Sequence, residues 1–348
     1  MKPESPKNVS IAAVTALLRE LGLSPEQLLQ AAQASAASVP TFNEYVPRVT
    51  AVVSPGTRRV YDTYWRRVNE RWGDRRIDEP TPLEIRQLAE DIRRTVVKRR
   101  NARGGRTAAQ HLISALRCLY RHAVADRLIN EADNPAARVA KPRRQPSTRR
   151  AIPAPRLAEI IEIAGSTGDD CDLDLLILRL HVETACRRGG ALAVHRADLD
   201  REQCLVRLHE KGETVRWQPI SPTLATALAT HYEHRGGAQV QGPLLRYRDG
   251  RPITRRRYDY LWQRLGRHLP WVATQQVSTH WLRHTTLTWV ERHFGYAVAR
   301  AYAGHAGTGD AAATTTYIKA DIEEVAEALS ALTGEPHPLA ATPPTSPQ

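Results

Sequence analysis

The sequence has only four cysteines, Cys118, Cys171, Cys186 and Cys204, and none stands in a C-x-x-C pair or a zinc-binding spacing. That excludes a disulfide framework and a structural zinc, and the thiols read as reduced, mostly buried groups of a cytoplasmic protein. No stretch approaches about 18 uninterrupted apolar residues, so no membrane span is expected. The opening Met1-Lys2-Pro3-Glu4-Ser5-Pro6 leads into no apolar h-region, so no secretion signal is expected. Clustered carboxylates are also scarce, which argues against a metal-dependent nuclease.

Positive charge is abundant. Fifty Lys and Arg stand against 37 Asp and Glu, giving a formal net charge of +13. Such a balance favours a polyanionic partner. Arg, with its planar fork, is the better phosphate ligand of the two cations; a GC-rich genome, where Arg and Ala are simply common, would give the same composition. With 41% hydrophobic residues in 348, the chain can build two real cores.

Along the chain, apolar spacing predicts two short helices between Ser10 and Gln33, broken at Gly22, with a linker over Ser35–Pro40. A compact helical domain follows from Ser54 to about Asn134. Its helices open at Ser54-Pro55-Gly56-Thr57 and at Thr81-Pro82-Leu83-Glu84, where a capping Thr, a Pro and an acid coincide. The third runs over about Thr107–Ala125, with Leu112, Leu116, Leu119 and Tyr120 on its apolar stripe. The basic, glycine-bearing loop before it carries Lys98, Arg99, Arg100, Arg103 and Arg106, a natural phosphate clamp or a solvated face. Residues 141–150, with Arg143 and Arg144, form a basic Pro- and Ser-bearing linker, suited to crossing a DNA backbone or to being a plain hinge.

From Ala151 a larger α+β domain is expected. Leu205–His209 and Thr214–Gln218 read as strands around a Lys211-Gly212 turn. Helices are expected near Ala154–Ile163, Asp172–Thr184, Pro222–His234, Thr254–His268, Ser278–Phe294, Ala297–Ala303 and Asp321–Leu332. Arg255 and Arg256 give the Thr254 helix a basic end that could lie along DNA. Its aromatic side, Tyr258 and Trp262, reads as core. The Pro-, Thr- and Ala-rich tail beyond Thr333 is expected to be disordered.

One set of residues carries chemistry. Arg187 lies in Thr184-Ala185-Cys186-Arg187, and Lys211 in Glu210-Lys211-Gly212. His280 and Arg283 lie in His280-Trp281-Leu282-Arg283-His284, His305 follows Gly304, and Tyr317 closes Thr314-Thr315-Thr316-Tyr317. His280 and Arg283, three apart, share a helix face. A set of cations, imidazoles and one phenol without a carboxylate suits a phosphate attacked by the phenol. Taken singly, each residue has a plainer reading. Arg187 is then a solvated helix end, Lys211 a turn residue, the histidines core or a zinc pair, and Tyr317 structural.

The five boxes in this order resemble the tyrosine recombinase, or phage-type integrase, family over roughly residues 50–333. The resemblance implies a mostly α fold with a small β-sheet. A helical, SAM-like core-binding domain (50–140) and the linker (141–150) would precede an α+β catalytic domain (151–333). An N-terminal extension (1–49) and a disordered tail (334–348) would flank them. It implies Tyr317 as nucleophile, Arg187 and Arg283 on the scissile phosphate with His305 assisting, His280 as base and Lys211 as general acid. It implies a 3′-phosphotyrosine intermediate, double-stranded DNA as substrate, a homotetramer on two DNA sites, and accessory DNA-binding proteins as further partners. No metal or cofactor and a nucleoid-associated, cytoplasmic setting are implied. Three positions depart from the family pattern. Gly190 stands where an acid follows the Arg, Ala185 replaces a glycine, and His305 and Tyr317 are 12 apart (317 − 305). Two alternatives stand beside this reading: a binding-only protein that keeps the fold without catalysis, and a monomeric type IB topoisomerase-like enzyme that shares the chemistry.

Overall fold

The computed structural model describes residues 39–95, 105–143, 149–209, 215–236, 242–304 and 320–340, with isolated positions between 18 and 27. The helices expected over Ser10–Gln33 fall largely outside them. The chain divides into two compact units, Met1–Pro146 and Ser147–Gln348. Both are helical, and the second holds one three-stranded antiparallel sheet, the mostly α architecture expected from the sequence. Among the described residues no helix is long and apolar enough to cross a membrane.

The first unit contains α1 (Phe42–Val52), α2 (Pro55–Trp72), α3 (Pro82–Thr95) and α4 (Arg106–Ala125). Ser54 caps α2 by accepting from the Thr57 amide, and Thr81 and Glu84 close a reciprocal pair at the start of α3. Helix α4 is the hub: Leu112, Ile113, Leu116, Leu119 and Tyr120 on it are buried against the other three. Buried aromatics pair their polar atoms, Trp65 Nε1 with the Ala115 carbonyl (3.1 Å) and Tyr120 Oη with the Ile77 carbonyl (2.8 Å).

Helix α1 differs from expectation. It runs straight through residue 49, where an extension was expected to end, and buries Phe42, Tyr45, Val46 and Val49 in the core shared with Trp65 and Tyr120. Pro47 inside it masks the helical signal. The Thr41–Glu44 capping box starts it (Thr41 amide to Glu44 Oε2, 2.9 Å).

The second unit contains α5 (Ala154–Ser166), α6 (Cys171–Thr184), α7 (Arg188–Ala193), strands β1 (Leu199–Asp200), β2 (Leu205–His209) and β3 (Val215–Pro219), then α8 (Pro222–His234), α9 (Arg255–His268), α10 (Pro270–Gln275), α11 (Thr279–Tyr302) and α12 (Ile322–Thr333). The strands pair in the order β1-β2-β3, with Arg207 opposite Trp217 and His209 opposite Val215. These four side chains face outward, while Val206 and Leu208 enter the main core with Leu173, Ile177, Leu228, Leu261 and Leu282.

Buried charge staples the helices. Asp174 on α6, fully buried, accepts from Arg257 Nε (2.8 Å) and Arg264 Nη2 (2.7 Å) on α9. Asp170, at the start of α6, takes Arg235 beyond the end of α8 (Nη2 to Oδ1, 2.8 Å). Removing one partner of such a buried pair costs about 3–5 kcal/mol, so α6 is fixed along its first half.

The segment after α12 also corrects an expectation, since residues 334–340 are packed against the unit. His337 is buried and donates from Nε2 to the Cys204 carbonyl (3.0 Å), and its Nδ1 accepts from the Leu339 amide (3.1 Å). Glu335 accepts from the Thr223 amide (3.2 Å) and from Arg179 (3.0 Å). The Pro-, Thr- and Ala-rich composition suggested disorder, but Glu335 and His337 within it supply the pairing groups.

Candidate active site and nucleic-acid interface

Helix α6 ends at Thr184, and Ala185 turns the chain in the left-handed conformation (φ 49°). Cys186 follows, and Arg187, in extended backbone, is the cap residue immediately before α7. Four successive carbonyls of this turn each accept a hydrogen bond from a different side chain. Glu183 O takes Tyr302 Oη, Thr184 O takes Arg216 Nη2 (3.3 Å), Ala185 O takes Arg283 Nη1 (2.5 Å) and Cys186 O takes His181 Nδ1 (3.1 Å). A carbonyl only accepts, so His181 carries its proton on Nδ1, and its Nε2 accepts from Tyr258 Oη (3.0 Å). The turn that aims Arg187 is thus held bond by bond, without the acid that Gly190 lacks.

Helix α11 brings in the second group. Its start is pinned by Trp262 Nε1 to Thr279 Oγ1 (2.8 Å), by the Ile152 amide to Thr285 Oγ1 (2.9 Å) and by Thr286 Oγ1 to the Val182 carbonyl (2.6 Å). Arg283 is buried, and two of its five donors serve Ala185 and the Ala303 carbonyl (2.7 Å). It therefore ties together the turn before Arg187 and the end of α11, where Gly304 precedes His305 in sequence. His280 is exposed on the same helix, its ring 5.0 Å from that of His284 in an edge-on contact. Partial burial pushes His280 down to about 4, helped by the nearby Arg149, His284, Arg283 and Arg187. His284 is lowered by burial and by Arg149 and Arg283. Neutral imidazoles in a field of arginines can accept a proton or donate to an anion.

The structure thus brings Arg187, His280 and Arg283 to one place. Lys211, His305 and Tyr317 lie outside the described residues, as do Lys98, Arg99, Arg100, Arg103 and Arg144. Of the other two tyrosines in this part of the sequence, Tyr302 is fully buried, and burial together with Glu183 pushes its phenol well above the ordinary range. Tyr296 is exposed beside Arg300.

Among the expected DNA contacts, Arg255 and Arg256 are exposed at the start of α9, whereas Arg257 beside them is buried on Asp174. Tyr258 of the same helix is core. In the first unit, exposed Arg106 and Arg143 line one groove of about 390 Å³ with Arg86, Arg93 and Glu90.

Sequence reading missed Arg149, Arg216 and the clamp residues His181 and Tyr302. No motif marks them; only Arg149 stood inside a noted basic run. Among the described residues no three His, Cys, Asp or Glu side chains gather as metal ligands.

Comparison with known proteins agrees with this architecture. Residues 153–324 match the phage integrase family. The tyrosine recombinase XerC of Chlamydia caviae is 26% identical over 201 residues, covering 56% of this chain and 62% of that protein. The crystal structure of a lambda integrase dimer bound to a COC′ core site superposes with a TM-score of 0.58 at 17% identity, covering 89% of this chain and 85% of that one. A lambda integrase tetramer bound to a Holliday junction gives a TM-score of 0.59 at 16% identity, covering 86% and 87%. At these identities the structural likeness is one of fold. The fold is that of the integrase class of mostly helical domains with a small antiparallel sheet. The domain over residues 153–324 belongs to the phage integrase, or tyrosine recombinase, family.

Proposed function

We propose that the protein is a site-specific DNA recombinase that cuts and rejoins strands through a 3′-phosphotyrosine link. The observation that carries this reading is the convergence of Arg187, Arg283 and a neutral His280 on one basic site inside the family domain. In the proposed step the Tyr317 phenol gives its proton to His280, and its oxygen bonds to the scissile phosphorus. The bond from phosphorus to the 5′-oxygen breaks, and Lys211 protonates that oxygen. Arg187 and Arg283 stabilise charge on the non-bridging oxygens, with His305 donating one further hydrogen bond. The phosphodiester energy stays in the tyrosyl link, so rejoining needs no ATP. No metal takes part in this scheme.

The helical unit would hold DNA through the arginines of its groove and the preceding basic loop, and the linker would pass along the backbone. Strand exchange between two sites requires four such centres, hence a homotetramer on DNA. The solved relative on a Holliday junction is itself a tetramer.

The test is recovery of the protein from cells under denaturing conditions, with sequencing of attached DNA, comparing wild type with Tyr317→Phe. Covalent DNA at discrete sites in wild type alone is the expected result. If neither protein carries DNA, a nicked duplex at the bound site traps the link. Absence of a Tyr317-linked product there sinks the catalytic reading in favour of a binding-only protein. Cleavage without site preference by a monomer would favour the topoisomerase-like alternative.

A further inference from the structure

We propose that Arg216 is a positioning residue that couples the turn carrying Arg187 to the turn at Gly304 and to the β2–β3 hairpin. The proposal rests on the recombinase reading above and deepens it. Along β3 the side chains alternate: Val215 and Trp217 are exposed, and Arg216 between them points into the unit. An inward-facing strand position usually holds an apolar residue, because desolvating a guanidinium is unfavourable. Here the guanidinium is directed at two polar partners. Nη2 donates to the Thr184 carbonyl (3.3 Å), three residues before Arg187, and Nη1 donates to Gln218 Oε1.

The stem of the same side chain runs beneath Gly304. A Cβ built at that glycine would lie 2.4 Å from Arg216 Nε and 2.5 Å from its Cδ, and the backbone there has φ +64°. Both facts demand glycine immediately before His305. Arg216 thus touches the ends of two segments that carry proposed catalytic residues, and in sequence its own strand follows the stretch that contains Lys211. The other three clamps on the 183–186 carbonyls come from α6 and α11. Arg216 is the one that comes from the sheet, so it sets the hairpin against the Arg187 turn.

The experiment uses the full chain and a nicked duplex carrying the bound site, measuring DNA affinity and the single-turnover rate of covalent adduct formation at saturating DNA. Arg216→Ala should keep cooperative unfolding and bind within about threefold of wild type, yet form adduct roughly 10- to 100-fold more slowly. Arg216→Lys should recover part of that loss, because the charge remains while the planar fork is gone. In an Arg187→Lys background, Arg216→Ala should slow the reaction less than in wild type, as expected of residues acting along one path.

Wild-type adduct with an unchanged rate for Arg216→Ala at saturation would overturn the proposal. So would a defect confined to affinity, or full additivity with Arg187→Lys. If Arg216→Ala does not fold, Arg216→Lys decides alone, and failure of both to fold makes the residue a fold determinant and overturns the proposal. Absence of adduct in wild type would instead overturn the recombinase reading itself, a distinct result.

Discussion

Arg283 Nη1 donates to the carbonyl oxygen of Ala185 at 2.5 Å, across 98 positions of sequence. Its Nη2 reaches Ala303 at 2.7 Å, so one buried side chain holds two segments that flank the site. An unpaired buried carbonyl costs about 1–3 kcal/mol. Arg283→Met, which keeps length but no donor, should therefore lower stability by about 2–4 kcal/mol. Urea unfolding measures this, and a loss under about 1 kcal/mol would show that water replaces the guanidinium at both carbonyls.

His280 is pushed down to about 4, so it stays neutral between pH 6 and 8. The cleavage rate should show no inflection near 6.5 from this group, and His280→Gln should slow cleavage about 10²–10⁴-fold if it serves as the base. An inflection near 6.5 in wild type that vanishes in His280→Gln would contradict the neutral state described here.

Stability should follow the buried histidines. His181 is pushed down to about 4 by complete burial, and His231 to about 4 by burial and Arg235. In the unfolded chain both titrate near 6.5. A depressed histidine contributes stability that is whole above the unfolded value and is lost as pH falls from 6.5 toward 4, because the unfolded chain takes up the protons. The urea midpoint should drop steadily from pH 7 to 4.5. His181→Gln, able to accept from Tyr258 and donate to Cys186, should flatten that slope. An equal slope in the variant would assign the acid sensitivity elsewhere.

Asp174 supports the site from a distance. It is fully buried between Arg257 and Arg264. Asp174→Asn would take the counter-charge from buried Arg264 and leave buried Arg257 with only the exposed Asp169, at a cost of about 3–5 kcal/mol. Thermal unfolding of this variant beside Asp169→Asn, whose carboxylate is largely exposed, separates burial from mere pairing. The exposed partner should matter by less than about 1 kcal/mol.

Much of this was legible beforehand where local signals agree. Thr81-Pro82-Leu83-Glu84 marked the start of α3, and the runs Leu205–His209 and Thr214–Gln218 marked β2 and β3. Type and order, which linear sequence retains, singled out six candidate residues, and the three of them that are described, Arg187, His280 and Arg283, lie near one another. Helix α1 was not found, because Pro47 interrupts its pattern and only tertiary burial of Phe42 and Val49 explains it. Short α7 and α10 offer too few turns for a periodicity. The four carbonyl clamps were invisible for a different reason. They pair side chains with backbone oxygens 5 to 119 residues away, and no residue type announces such a bond.

Helix α11 offers a last test, because the sequence suggested two helices there and the backbone gives the reason. Gly295 has φ 82° and ψ 174°, a conformation open essentially to glycine alone, and the helix changes direction at that point. The part before it carries His280 and Arg283. The part after it buries Val298, Ala299 and Tyr302 against α12, and so fixes Ala303 where Arg283 binds it. A Cβ added at Gly295 would meet nothing within 4 Å, so the penalty for substitution is torsional rather than steric. Gly295→Ala should cost about 1–3 kcal/mol, and Gly295→Leu should cost nearly the same, since the larger side chain projects into open space. If the kink relaxes instead, Ala303 moves away from Arg283, and adduct formation should fall more than stability does. A Leu variant much less stable than the Ala variant would mean that the space is closed and the torsional account is wrong.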